Sequence, residues 1–84
     1  MISDTNNHFR TANTALAAFL VAEGFGNPDI EYENNNTRAF FLFSQESPKI
    51  GKHIKDWDTA RARTNAVLFF NAYQNLLRRI REKY

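Results

Sequence analysis

Cysteine is absent from this chain of 84 residues, and glycine occurs three times and proline twice. Without thiols there can be no disulfide and no thiolate metal site. Gly24 and Gly26 stand together in one short segment and make a turn, not a Gly-rich phosphate loop. The two histidines, His8 and His53, have no second good ligand at a metal-binding spacing. No apolar run approaches the roughly 18 residues of a membrane span. The polar opening Ile2-Ser3-Asp4-Thr5-Asn6-Asn7 lacks the charged-then-apolar order of a signal peptide. A cytoplasmic setting with no membrane contact and no cofactor is the expectation. An excess of one charge is missing too: the net charge is +2 with a pI near 9.2, which an ordinary solvated surface explains.

Aromatic side chains are plentiful, with eight Phe, three Tyr and one Trp. A chain this short forms one domain and buries a modest share of its surface. Its core must therefore come from hydrophobic packing, and sharing that core with a second copy is a reasonable expectation.

The polar start reads as a flexible N-terminal arm over residues 1–10, which His8 and Phe9 could tack to the body, and 11–84 as a single α+β domain. Thr11–Glu23 reads as a first helix, capped by Thr11 or Asn13 and ended by Gly24. Leu16, Phe19 and Leu20 make a bulky face, with Ala15, Ala18 and Ala22 as a small-residue stripe beside it. Phe25-Gly26-Asn27-Pro28 is a turn. Asp29–Glu33 alternates acidic and apolar residues as a half-buried strand does, and Asn34-Asn35-Asn36 is the next turn. Arg38–Ser44 is apolar on both faces, Phe40 and Leu42 on one and Phe41 and Phe43 on the other, so it should be a central or doubly covered strand. Gln45–Ser47 reads as a loop, and Pro48 opens a short second helix running to about Trp57. This helix buries Ile50, Ile54 and Trp57 and turns Lys49, Lys52 and Lys55 outward.

Asp58–Thr64 reads either as a backward extension of the last helix or as a brief third strand of alternating small and charged residues. The lean is toward an edge strand, with Asn65 capping the last helix. Asn65–Tyr84 is a long helix. Ala66, Phe69, Tyr73, Leu76 and Ile80 lie on one face, and Val67, Phe70 and Leu77 widen that stripe, so something else must cover it. The fold expected is a helix, a β-hairpin, a short helix, a short third strand, and a long C-terminal helix packed on a small antiparallel sheet.

Ala17-Ala18-Phe19-Leu20 with Gly24, Phe40-Phe41-Leu42-Phe43, Trp57, and the spacing Ala66, Phe69, Ala72, Leu76 together resemble an uncharacterised family of small bacterial and phage-associated domains, a domain of unknown function. The resemblance spans roughly Thr11 to Arg79. It implies a β-branched residue, here Thr64, in a short strand before the last helix. It supplies no catalytic or ligand residues, since these are core and turn positions.

Chemistry-bearing groups are sparse. His53 and Asp56 could share a helical face as a carboxylate-oriented imidazole, although a solvent-facing histidine beside a charge is the commoner outcome. Ser44 and Ser47 have no evident base or oxyanion arrangement. Asp29, Glu31 and Glu33 lack the looped spacing of a cation site and read as a solvated face paired with Arg38, Arg61 or Arg63. Asn35-Asn36-Thr37 fits a glycosylation pattern but reads as a turn. No enzyme is expected.

Two binding readings remain. In the favoured one the apolar excess, centred on Phe40, Phe41, Leu42, Phe43, Phe69 and Tyr73, serves self-association or docking onto a protein partner. In the other, Lys49, Lys52, Lys55, Arg61, Arg63, Arg78, Arg79 and Arg81 merge into a nucleic-acid-binding patch if the last two helices lie side by side.

Overall fold

A computed structural model describes residues 8–33, 38–44 and 49–83. Among them the elements are β1 (His8–Thr11), α1 (Thr14–Ala22), β2 (Asp29–Glu33), β3 (Arg38–Ser44), α2 (Lys49–Asp58) and α3 (Ala66–Lys83). The expected turn at 34–36, the loop at 45–47, the helix-opening Pro48, the glycosylation pattern and the arm over residues 1–7 lie outside the described residues.

The fold is α+β. Its antiparallel sheet has the order β1-β3-β2, with the C-terminal helix packed on it. β3 is central because it alone is apolar on both faces. Phe41 and Phe43 are buried, whereas Phe40 and Leu42 are only half-buried. The single chain therefore covers one face of β3 fully and leaves the other partly open.

The third strand is not where the small–charged alternation places it. Residues 61–65 form no strand, and Thr64 sits in irregular backbone. The actual partner of β3 is β1, drawn from the segment expected to be a loose arm, with Phe9 opposite Phe43 and Thr11 opposite Phe41. Pairing is worth more to this short segment than its polar composition suggests, because it meets an otherwise open edge of β3.

α1 is shorter than expected at its start because Asn13 is the cap. Its Oδ1 accepts from the Leu16 N–H at 3.1 Å, and Thr11 instead accepts from the Asn13 N–H through its hydroxyl. Five consecutive residues, Leu16 to Leu20, are buried. A helix buried on successive residues is covered on every side, and α1 is accordingly the hub, packed against the sheet, α2 and α3.

Both α1 and α2 end in a Schellman motif. At the end of α1, Gly24 (φ +96°) donates to the Val21 carbonyl and Phe25 to that of Leu20. At the end of α2, the left-handed residue is Ala60 (φ +62°), which donates to Trp57 O while Arg61 donates to Asp56 O. That reversal turns the chain out of α2 and explains why the following alternation does not become a strand. Asn65 then caps α3, its Oδ1 accepting from Val67 and Leu68 N–H at 2.9 and 3.0 Å. No described helix is long and apolar enough to cross a membrane.

Candidate docking surface

α3 buries Ala72 and Leu76 and half-buries Phe69, Tyr73, Leu77 and Ile80. The buried line is thus narrower than the stripe read from spacing, and it lies on the Ala72–Leu76 side. The remainder of the apolar set is turned to solvent: Val67 is 66%, Leu68 52% and Phe70 59% exposed. Ala66 beside them is exposed as well.

Of these four only Ala66 lines a groove of about 550 Å³, together with Phe19, Trp57, Ala62, Arg63, Thr64 and Phe69. Phe19 joins the floor of the groove to the core, its ring 5.5 Å from that of Trp57, and Phe69 stacks on Tyr73 with centroids 6.1 Å apart. Thr64 Oγ1 is buried without a hydrogen-bond partner among the described residues. α3 therefore presents exposed apolar side chains around its first turns, with Phe70 on the Ala66 side of the helix and Leu68 turned to the opposite side.

Val67, Leu68 and Phe70 belong to a run from Thr64 to Leu77 that holds no charged residue. An ordinary exposed helix face carries Glu, Lys or Arg. The absence of all of them over several turns is the signal in the sequence that marks this face.

Of the other interface candidates, Phe41 and Phe43 are withdrawn from any surface by burial. Phe40 and Leu42 lie on the outer sheet face, opposite Glu31 on β2 and Arg10 on β1 respectively. That face is screened by charge: the Arg10 guanidinium stands 3.6 Å and that of Arg38 5.3 Å from the Phe40 ring centroid. Arg10 Nε also donates to Glu31 Oε1 at 2.9 Å. The acidic strand is thus paired with Arg10, from the expected arm, and not with the arginines expected for it.

The basic residues do not gather as one patch. α2 and α3 both pack on α1 and are not laid side by side. Arg63 precedes α3 while Arg79 lies 13 residues beyond Ala66, a separation of about 20 Å along the helix. That exceeds the Debye length of about 8 Å at physiological salt. Lys52 pairs with Asp56 at 3.4 Å, and Arg79 Nη2 donates to the Pro28 carbonyl at 2.8 Å. Arg78 and Arg79 border a separate groove with Asn27 and Asn75.

His53 is neither solvent-facing nor oriented by Asp56. Its Nε2 lies 3.2 Å from Glu23 Oε1 and its Nδ1 2.9 Å from the Lys49 carbonyl oxygen. The ring packs edge-on to Phe25 at 4.9 Å and against Phe19 at 5.8 Å. These contacts tie α2 to the end of α1, and the ring lines neither groove. No cluster of metal-ligating side chains occurs among the described residues.

Residues 6–82 match the family model described as Domain of unknown function (DUF5659), and the chain belongs to that family. No curated protein and no solved structure matches the chain.

Proposed function

We propose that this member of the DUF5659 family is a small non-catalytic binding or assembly module that presents the first turns of α3 to a protein. The observation carrying this reading is the solvent exposure of Val67, Leu68 and Phe70 in the first turns of α3. Three large apolar side chains, each more than half exposed and uninterrupted by charge, gain about 25 cal/mol per Å² when covered. Phe69 and Tyr73 keep a place in this surface, at its buried margin. A homodimer in a bacterial or phage-derived cytoplasmic setting belongs to the same proposal, and a cysteine-free chain suits a reducing compartment.

A nucleic-acid accessory role for Lys49, Lys52, Lys55, Arg61, Arg63, Arg78, Arg79 and Arg81 has less support. The two arginine groups stand at opposite ends of the uncharged part of α3, and Arg79 is engaged with Pro28.

Photo-crosslinking tests the docking reading. A benzophenone amino acid placed at Phe70 should give a discrete protein adduct in cells that express the chain, and one placed at exposed Thr59 should not. Absence of an adduct from position 70, or equal labelling from both positions, would contradict it.

A further inference from the structure

We propose that the groove between α3 and the loop before β2 binds the phosphate-monoester group of a small hydroxylated molecule, such as a polyol or sugar phosphate. This site is separate from the apolar docking face and does not depend on it.

The groove, of about 420 Å³, is lined by Asn27 from the loop and by Asn75, Arg78 and Arg79 from α3. Residues three and four positions along a helix share a face, so Arg78 and Arg79 flank Asn75 one turn further on. Each of the four side chains carries N–H donors, and no described carboxylate lines the groove. Asp29, which follows Pro28, is turned the other way. It stands opposite Leu42 on the outer face of the sheet, whereas α3 packs on the inner face with Phe41 and Phe43.

These donors are also uncommitted. Asn27, Asn75 and Arg78 take part in no side-chain hydrogen bond or ion pair among the described residues. Arg79 spends one N–H on the Pro28 carbonyl, at 2.8 Å, and keeps the rest of its fork. That bond holds the guanidinium in place before a ligand arrives, which lowers the ordering cost of binding.

Charge and shape select the ligand. Two guanidiniums match the charge of about −1.5 to −2 that a phosphate monoester carries near neutral pH. A carboxylate or a phosphodiester, with a single negative charge, would leave one guanidinium uncompensated. Guanidinium forks meet phosphate oxygens in bidentate fashion. The Asn carboxamides are donors and acceptors together, which suits hydroxyl groups on the rest of the molecule. The volume falls within the range of small-molecule sites, which begins at about 300 Å³. The negative end of the α3 dipole opposes an anion chiefly over the last turn. Arg78 and Arg79 precede that turn, since the helix runs to Lys83.

Heteronuclear NMR on the full 9.8 kDa chain tests the site, because the side-chain amides of Asn27 and Asn75 report on it directly. The titrations are run at constant ionic strength and about pH 7.5, where a phosphate monoester is mostly dianionic. Glycerol 3-phosphate should shift both amides saturably, with a half-point at about 1 mM, and should leave Val67, Leu68 and Phe70 unmoved. Dimethyl phosphate should bind about tenfold more weakly or worse. Arg78→Gln, at an exposed position without a partner, should weaken glycerol 3-phosphate by about tenfold or more. Arg81→Gln, also exposed on α3 but outside the groove, should leave its binding unchanged. The backbone amide spectrum checks that each variant is folded. Shifts that do not saturate, equal binding of dimethyl phosphate, or equal losses from Arg78→Gln and Arg81→Gln would overturn the proposal by reducing it to general charge attraction. A phosphoserine peptide that binds more tightly than glycerol 3-phosphate would overturn the small-molecule assignment.

Discussion

The guanidinium of Arg10 lies 3.6 Å from the centroid of the Phe40 ring while its Nε donates to Glu31, so one side chain spans all three strands from β1 across β3 to β2. It shields the half-open face of the central strand with a charge anchored on the edge strand.

Arg10→Ala should therefore cost about 1 kcal/mol. A cation over an exposed ring contributes about 0.5–1 kcal/mol, and a solvent-screened pair adds a few tenths. Arg10→Lys should recover only part of this, because a point charge lacks the planar overlap. Urea denaturation of both variants and of Phe40→Leu, alone and combined with Arg10→Ala, completes a double-mutant cycle. Additivity of Arg10→Ala with Phe40→Leu would show that the two side chains do not interact.

The two helix ends predict opposite signs. Gly24→Ala places a Cβ at φ +96° and should destabilise by about 1 kcal/mol, whereas Ala60→Gly relieves a left-handed alanine at φ +62° and should stabilise by up to about 1 kcal/mol. At Gly24 the backbone alone decides the outcome, since nothing lies within 4 Å of an added Cβ. Thermal unfolding checks both, and a loss at Ala60→Gly would show that this turn is not left-handed in solution.

Phe19 and Phe70 separate core from surface. Phe19 is 2% exposed at the centre of the helical layer, so Phe19→Ala should cost about 3–5 kcal/mol. At concentrations where the chain is monomeric, Phe70→Ala should change stability by less than about 0.5 kcal/mol. A large loss at Phe70 under those conditions would mean that the ring is packed within its own chain.

Much of the fold was legible because its signals are local. The alternation of Asp29–Glu33 and the two-sided apolarity of Arg38–Ser44 match β2 and β3 residue for residue. β1 was not legible. His8-Phe9-Arg10-Thr11 has no strong pattern of its own, and its conformation is imposed by the edge of β3. The third strand was misplaced because Ala60 takes a conformation that a non-glycine residue rarely adopts, breaking the alternation that Arg61 and Arg63 suggest. At the candidate site, Val67 and Phe70 were readable as apolar excess in need of cover. The rotation of α3 about its axis was not, since a stripe that broad does not say which part faces the core.

Among the basic residues, Arg79 should behave unlike its neighbours. Its half-buried bond to the carbonyl of buried Pro28 predicts that Arg79→Ala costs about 1.5–3 kcal/mol, the range for a hydrogen bond from a charged group. Arg78→Ala and Arg81→Ala, at exposed positions, should stay within about 0.5 kcal/mol. Chemical denaturation of the three single variants checks this, and equal behaviour would contradict a structural role for Arg79.

Light-scattering mass coupled to size exclusion, run at low and high salt with and without mixed oligonucleotides, tests the central claim that the uncharged face of α3 drives association. The account predicts a two-chain mass at high loading concentration that persists in high salt, ignores the oligonucleotides and disappears in Phe70→Asp. A monomer whose elution shifts with oligonucleotides only at low salt would contradict it and return the function to the basic residues.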